Sequence, residues 1–194
     1  MRLILGSQSP RREHILNFFR LPFRQVSPDF DEEAVLFDDD PIVYVKTLSK
    51  GKAESLVMQF GESPILTADT VVYRDGKYYN KPKNLEHAIE CLNELAGQWH
   101  SVFTGLTLTW QGQIYQEVEE TRVLFNPLTP LQISAYYRAL HCFDKAGSYM
   151  IQGAGSMVVK RIEGCYYNVM GMPLNALRKI LLHAEIDLWD YLKA

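Results

Sequence analysis

The chain has 194 residues, 47% apolar and 22% charged, with a formal net charge of -3 at pH 7; this composition is that of a folded globular protein and excludes a disordered one. The slight acidity argues against a general binder of nucleic acid or anionic membrane, so any anion site has to be local. Cys91, Cys142 and Cys165 show no CxxC spacing, the first apolar run is only Leu3 to Leu5, and no run approaches the ~18 residues of a membrane span, which together predict free thiols in a reducing cytoplasm.

Leu3 to Gly6 reads as a short buried strand. Ser9 is expected to cap a helix with Pro10 at its first position. Phe23 to Val26 suits a second strand, and residues 27–40, with seven acidic side chains, form a loop. Asp40-Pro41 starts a helix to about Phe60, stopped by Gly61. The run ILTADTVVY, residues 65–73, reads as a buried strand holding one carboxylate, and Asp75-Gly76 turns it into a returning strand over 77–79. Asn84 opens the clearest amphipathic helix, with Ala88, Ile89, Leu92, Leu95 and Ala96 on one face and Gly97 beyond it. Residues 99–110 and 113–125 flank Gln111-Gly112 as a second hairpin. Thr129-Pro130 starts a helix to about Leu140, and Pro173 another to about His183. Between these lies a glycine-rich segment, 144–172, with a strand near Ser156 to Arg161. Helices alternate with strands, several of them in hairpins, so a mixed α/β sheet is expected and not a purely parallel one.

Two features are chemically anomalous. Arg11 and Arg12 fall in the first turn of a helix, where cations are disfavoured by roughly 0.3–1 kcal/mol each and anions are favoured. Either both point into solvent, or they converge with a serine hydroxyl on a phosphate-sized group. Asp69 sits in an apolar strand, where an ionised carboxylate is costly unless paired, hydrogen-bonded or bound to a metal; it is a site residue or a structural Asp capping a loop. Lys52, Lys81 and Lys145 are each compatible with a solvated surface, and together with the arginines they could neutralise a polyphosphate. Glu32, Asp69 and Asp144 could supply carboxylates to a divalent ion, although most of the acidic loop 29–33 reads as solvated. GxxxxGK[ST], a full GxGxxG, GxSxG and metal-spaced histidines are all absent. His100 reads as a core or supporting histidine, and Cys91 as core.

In order and spacing, LILGSQSPRR (3–12), FDEE (30–33), LSKGKAE (48–54), ADTVV (68–72), NKP (80–82), LAGQWHSVFTG (95–105), DKAGSYMIQG (144–153) and GCYYNVMGMPL (164–174) resemble the Maf family of nucleoside triphosphate pyrophosphatases over nearly the whole chain. The resemblance implies one α/β domain, residues 1–194, with a mixed central sheet flanked by helices and two lobes around a cleft. It implies hydrolysis of a triphosphate between the α and β phosphates, with a divalent cation, Mg²⁺ or Mn²⁺, in the house-cleaning of nucleotide pools. Carried over by motif, Asp69, as general base, and Lys81 are catalytic. Ser7, Arg11, Arg12, Lys52, Thr70, Lys145 and Gln152 bind substrate, and Glu32 and Asp69 hold the metal. Arg11, Thr70 and Gln152 match positions separating the dTTP and UTP branch from one preferring a methylated guanosine triphosphate, and resemble the former. Gly6, Ala96 and Met172 depart from the family's usual residues without removing a charge from the site.

The partner implied is a nucleoside triphosphate, with no nucleic acid and no membrane; a homodimer is possible. Three other readings are open: a non-catalytic nucleotide- or nucleic-acid-binding regulator, a phosphatase releasing inorganic phosphate, and a 7-methyl-GTP pyrophosphatase.

Overall fold

β1 (Leu3–Gly6) is buried at every position because it is an inner strand, paired in parallel with β2 (Phe23–Val26) on one side and β3 (Ile65–Arg74) on the other. Strands covered on both faces read as continuous apolar runs, and LILG is one. This computed structural model describes residues 2–141 and 145–192, so Cys142 and Asp144 lie outside the described residues. β3 turns back into β4 (Lys77–Tyr79) and also pairs antiparallel with β5 (Trp99–Trp110), which forms a long hairpin with β6 (Gln113–Phe125). β7 (Val159–Glu163) closes the far edge of a seven-stranded mixed sheet in the order β2-β1-β3-β5-β6-β7, with β4 attached to β3.

The two faces are covered by different helices. α2 (Pro41–Phe60) packs Tyr44, Val45, Leu48, Ala53 and Leu56 against Ile65, Val71 and Phe103 on one face. The opposite face takes α1 (Pro10–Leu16), α3 (Leu85–Leu95), α4 (Pro130–Leu140) and α6 (Leu174–Leu181), through residues such as Leu16, Leu92, Ile133 and Leu177. Strand periodicity divides β3 accordingly: Thr67, Asp69 and Val71 face α2, whereas Ala68, Thr70 and Val72 face the other helices.

One detail of the sheet positions the site. β1 pairs with β3 as far as Gly6 with Thr67, and β4 pairs with it only from Val72 onwards. Among the described residues, no strand covers that edge of β3 over residues 68–71. A gap in the sheet therefore lies beside Asp69 and Thr70, and side chains from both faces reach it.

Two local expectations change. Ser9 occupies the position before α1, but its side chain makes no capping bond; instead its N-H donates to Ser7 Oγ at 3.1 Å. Gly61 stops α2 as expected, at φ -60. The strand expected near 156–161 begins at Val159, because residues Gly153–Val158 form a 3-10 helix. A short helix, α5 (Tyr166–Val169), was not visible in the sequence pattern. By contrast, Thr129 and Gln132 form a full capping box at α4, and α6 ends in a 3-10 turn over Leu182–Ala184. No helix among the described residues is long and apolar enough to cross a membrane.

Candidate active site

Beside the gap in the sheet lies a cavity of about 1060 Å³, just above the ~300–1,000 Å³ usual for small-molecule sites. Its lining includes Ser7, Arg11, Arg12, Glu32, Lys52, Asp69, Thr70, Lys81 and Lys145. Gln152 does not line it, although Ile151 does; Gln152 stands half-buried before the 3-10 helix, where its carbonyl accepts from the Gly155 N-H at 3.1 Å. Nine of the ten binding and catalytic residues expected from sequence are thus brought to one cavity.

Asp69 and Lys52 form its buried centre. Lys52 Nζ donates to Asp69 Oδ1 at 2.6 Å and lies 3.0 Å from Glu32 Oε1. Asp69 is 7% exposed and Lys52 6%, so water screens this pair poorly. Burial pushes the Asp69 carboxyl above the usual carboxylate range, an effect opposed by the charge of Lys52, then by that of Arg12, and by the hydrogen bond from Lys52. A carboxylate so placed accepts a proton more readily than a surface one.

Glu32 reaches this centre because of a residue that sequence reasoning passed over. Phe30 packs directly on Gly51 of α2; a Cβ built on Gly51 would lie 2.3 Å from Phe30 Cε2. The aromatic anchor draws the acidic loop over α2, one residue before Lys52. Lys52 itself belongs to the buried stripe of α2 with Leu48, Ser49, Ala53 and Leu56, and that helical register was the available signal.

Arg12 does not point into solvent. Its Nε donates to the Gly171 carbonyl at 2.9 Å, Nη1 to Ser7 Oγ at 3.2 Å and Nη2 to Thr70 Oγ1 at 3.1 Å. Loss of water lowers its pKa, with Asp69 opposing and Arg11 adding to the effect. Three of the five guanidinium N-H groups are used by these bonds, and the remainder can meet a ligand. Gly171 adopts φ +94, and a Cβ there would lie 3.0 Å from Thr70 Oγ1 and 3.5 Å from Arg12 Nε, so only glycine brings this carbonyl to Arg12 without strain. Behind Thr70, Thr104 Oγ1 bonds it at 3.0 Å and donates to the Asn168 carbonyl at 3.1 Å. The Asn168 amide is anchored by Val102 O and Thr121 Oγ1. The segment 164–174 thereby buttresses the arginine, a role sequence reasoning did not assign.

Glu32 and Asp69 already converge on one cationic atom. Mg²⁺ is commonly held by one or two carboxylates, completed by phosphates and water, and this pair fits that donor set. Among the described residues no cluster of three or more His, Cys, Asp and Glu is formed, so the remaining ligands would have to come from substrate and solvent.

The profile described as Maf-like protein matches residues 2–184. The chain belongs to the Maf family. This Maf chain is 45% identical over 192 residues to a protein of Chlamydia felis named dTTP/UTP pyrophosphatase, covering 98% of each. It is 43% identical over 191 residues to one of that name in Clostridium perfringens, covering 97% of this chain and all of that one. A Chlamydia muridarum protein at 41% identity, covering 98% of each chain, is named nucleoside triphosphate pyrophosphatase. The Staphylococcus aureus Ham1 structure covers 65% of the Maf chain and 71% of its own at 14% identity, with a TM-score of 0.43, too loose a likeness to carry an argument.

Proposed function

We propose that this Maf protein hydrolyses dTTP and UTP to the monophosphate and pyrophosphate. The observation that carries the reading is the buried Asp69 between Lys52 and the Arg12 cluster, at the gap in the sheet. The names of the relatives at 41–45% identity support the substrate class.

In the reaction proposed, water attacks the α-phosphorus in line with the leaving pyrophosphate. The new P-O bond forms as the bridging bond to the β-phosphate breaks, and the water proton passes to Asp69 and then to solvent. Burial of Asp69 raises its proton affinity towards what a base working near neutrality requires. Arg12, held by Ser7, Thr70 and Gly171, presents its remaining donors to a phosphate oxygen in one orientation. Arg11, Lys81 and Lys145 lie around the same cavity, where their charges offset that of the triphosphate. A divalent cation, Mg²⁺ or Mn²⁺, would be held by Glu32 and Asp69 and would supply further charge neutralisation to the phosphates. Arg11 and Thr70 line the cavity and are our candidates for base preference; Gln152 would contribute only if its segment moved.

The test is a panel of pyrimidine, purine and 7-methylguanosine triphosphates with Mg²⁺ or Mn²⁺, assayed separately for phosphate and pyrophosphate. Pyrophosphate released chiefly from dTTP and UTP is expected. Binding without turnover would replace the proposal by a nucleotide-binding regulator, release of inorganic phosphate by a phosphatase, and preference for the methylated guanosine by the other family branch.

A further inference from the structure

Two adjacent tyrosines of α4, Tyr136 and Tyr137, are both buried, and both send their hydroxyls to the backbone of the loop beyond the helix. The Tyr137 hydroxyl donates to the Ser148 carbonyl at 2.7 Å, with the Ala88 carbonyl of α3 at 2.9 Å as its alternative. The Tyr136 hydroxyl accepts from the Met150 N-H at 3.1 Å and lies 3.4 Å from the carbonyls of Met150 and Gly155. A hydroxyl has a single proton to donate, so Tyr137 is a close donor to its stretch of the loop and Tyr136 chiefly an acceptor from the next.

The stretch held by Tyr137 would not keep its shape unaided. Ser148 is left-handed, at φ +61, directly after Gly147 at φ +67, and a serine persists in that conformation only where its surroundings hold it. The Ser148 N-H closes the turn on the Lys145 carbonyl at 2.9 Å, and the Ser148 carbonyl is taken by Tyr137. From the side of the sheet, Gly147 is pressed on β3, where a Cβ would lie 2.8 Å from Val72 Cγ2. Lys145 stands at the head of this turn, half-buried and lining the cavity. The stretch held by Tyr136, residues 150–155, carries no charged side chain and lends the cavity only Ile151. The two hydroxyls thus hold different parts of one loop, and only one of those parts bears a cation.

We propose that Tyr137 is a positioning residue for phosphate binding: by holding the Ser148 carbonyl it keeps the turn 145–148 wound, and so keeps Lys145 at the cavity where its charge meets the polyphosphate. The inference rests on the nucleotide hydrolysis proposed for the same cavity. The experiment measures the inhibition constant of inorganic tripolyphosphate, KM for dTTP and the melting temperature in Tyr137→Phe, Tyr136→Phe, Lys145→Gln and the double variant Tyr137→Phe with Lys145→Gln. Each Tyr→Phe change keeps the ring and removes one hydroxyl, so both should lower the melting temperature alike, by ~2–4 °C. Tyr137→Phe should raise the inhibition constant and KM together, about fivefold. Tyr136→Phe should leave the inhibition constant within about twofold, and Lys145→Gln should raise it about tenfold. In the double variant the constant should equal that of Lys145→Gln alone, since a turn without its lysine has nothing left to position. Gly147→Ala disturbs the turn from the side of β3; it should reproduce the rise seen in Tyr137→Phe and be equally silent without Lys145. An equal rise in the two tyrosine variants, effects that multiply in the double variant, or an unchanged inhibition constant in folded Tyr137→Phe overturns the proposal. If the parent releases no pyrophosphate, the hydrolysis reading fails instead, and calorimetric dissociation constants for tripolyphosphate in the same variants decide the role of Tyr137 by the same cycle.

Discussion

Replacing Asp69 by Asn changes one oxygen to an amide and removes one charge, and the structure separates its effect on activity from its effect on stability. The amide oxygen can still accept from Lys52 Nζ, and Lys52 keeps Glu32 at 3.0 Å. At 2.6 Å and an effective dielectric of ~20, the gross attraction lost is about 6 kcal/mol. Dehydration of a buried carboxylate, no longer needed, is a penalty of several kcal/mol. The two are of similar size, and burial, the largest influence on the Asp69 carboxyl, moves its proton affinity up, in the direction expected when the penalty is the larger. A carboxyl whose pKa is raised on folding contributes most stability below its unfolded pKa, near ~4, and loses that contribution as pH rises through the folded pKa. Asp69→Asn lacks this loss, so its melting temperature should equal or exceed the parent's at pH 7.5, and the difference should shrink towards pH 4. Turnover should fall by ~10²–10⁴, the usual worth of a general base. Pyrophosphate release at saturating dTTP and thermal melts from pH 4 to 8 measure both. Activity within tenfold of the parent removes Asp69 from proton transfer. A melting temperature lower by more than about 4 °C, roughly 1–2 kcal/mol for a chain of this size, would make Asp69 a structural ion-pair partner.

Arg12→Lys keeps the charge but cannot reproduce donation to Gly171, Ser7 and Thr70 together; kcat/KM for dTTP should fall by about one to two orders of magnitude with little change in melting temperature. Gly51→Ala places a Cβ against Phe30 and should shift Glu32 with it, costing ~1–3 kcal/mol of stability and raising the Mg²⁺ concentration for half-maximal rate about tenfold; an unchanged metal titration in the folded variant would separate Glu32 from the metal. Gly171→Ala forces a side chain into a left-handed conformation against Thr70 and Arg12, costing ~1–3 kcal/mol, and its kcat should drop more than that of Gly76→Ala, where φ is +82 but nothing lies within 4 Å.

Much of the secondary structure was legible because local rules govern it. Pro at a helix start, Asn84 before α3, the capping box at Thr129 and both two-residue hairpin turns act over a few residues. Asp69 was legible as well, since a charge inside ILTADTVVY violates strand burial and so asks for a partner. The partner was harder to see. Lys52 looks like any helical lysine until Leu48 and Leu56 are placed on the same stripe, and Ser9 looked like a cap because nothing local shows that Ser7 Oγ takes its N-H. The onset of β7 was misplaced because three residues that suit a strand's start are wound into a 3-10 turn.

By itself, then, the sequence determined most of the elements, the mixed sheet and the set of charged residues that had to find partners. Only the tertiary structure decided which partners. Arg12 is joined to a carbonyl 159 residues away, Asp69 to a lysine on a different element, and both lie at the gap left where β1 ends its pairing opposite Thr67 of β3 and β4 ends its own opposite Val72. The physical reason is range: turns and caps are settled by backbone sterics within one or two turns of chain, whereas a site at a gap in a sheet exists only once strands distant in sequence have paired.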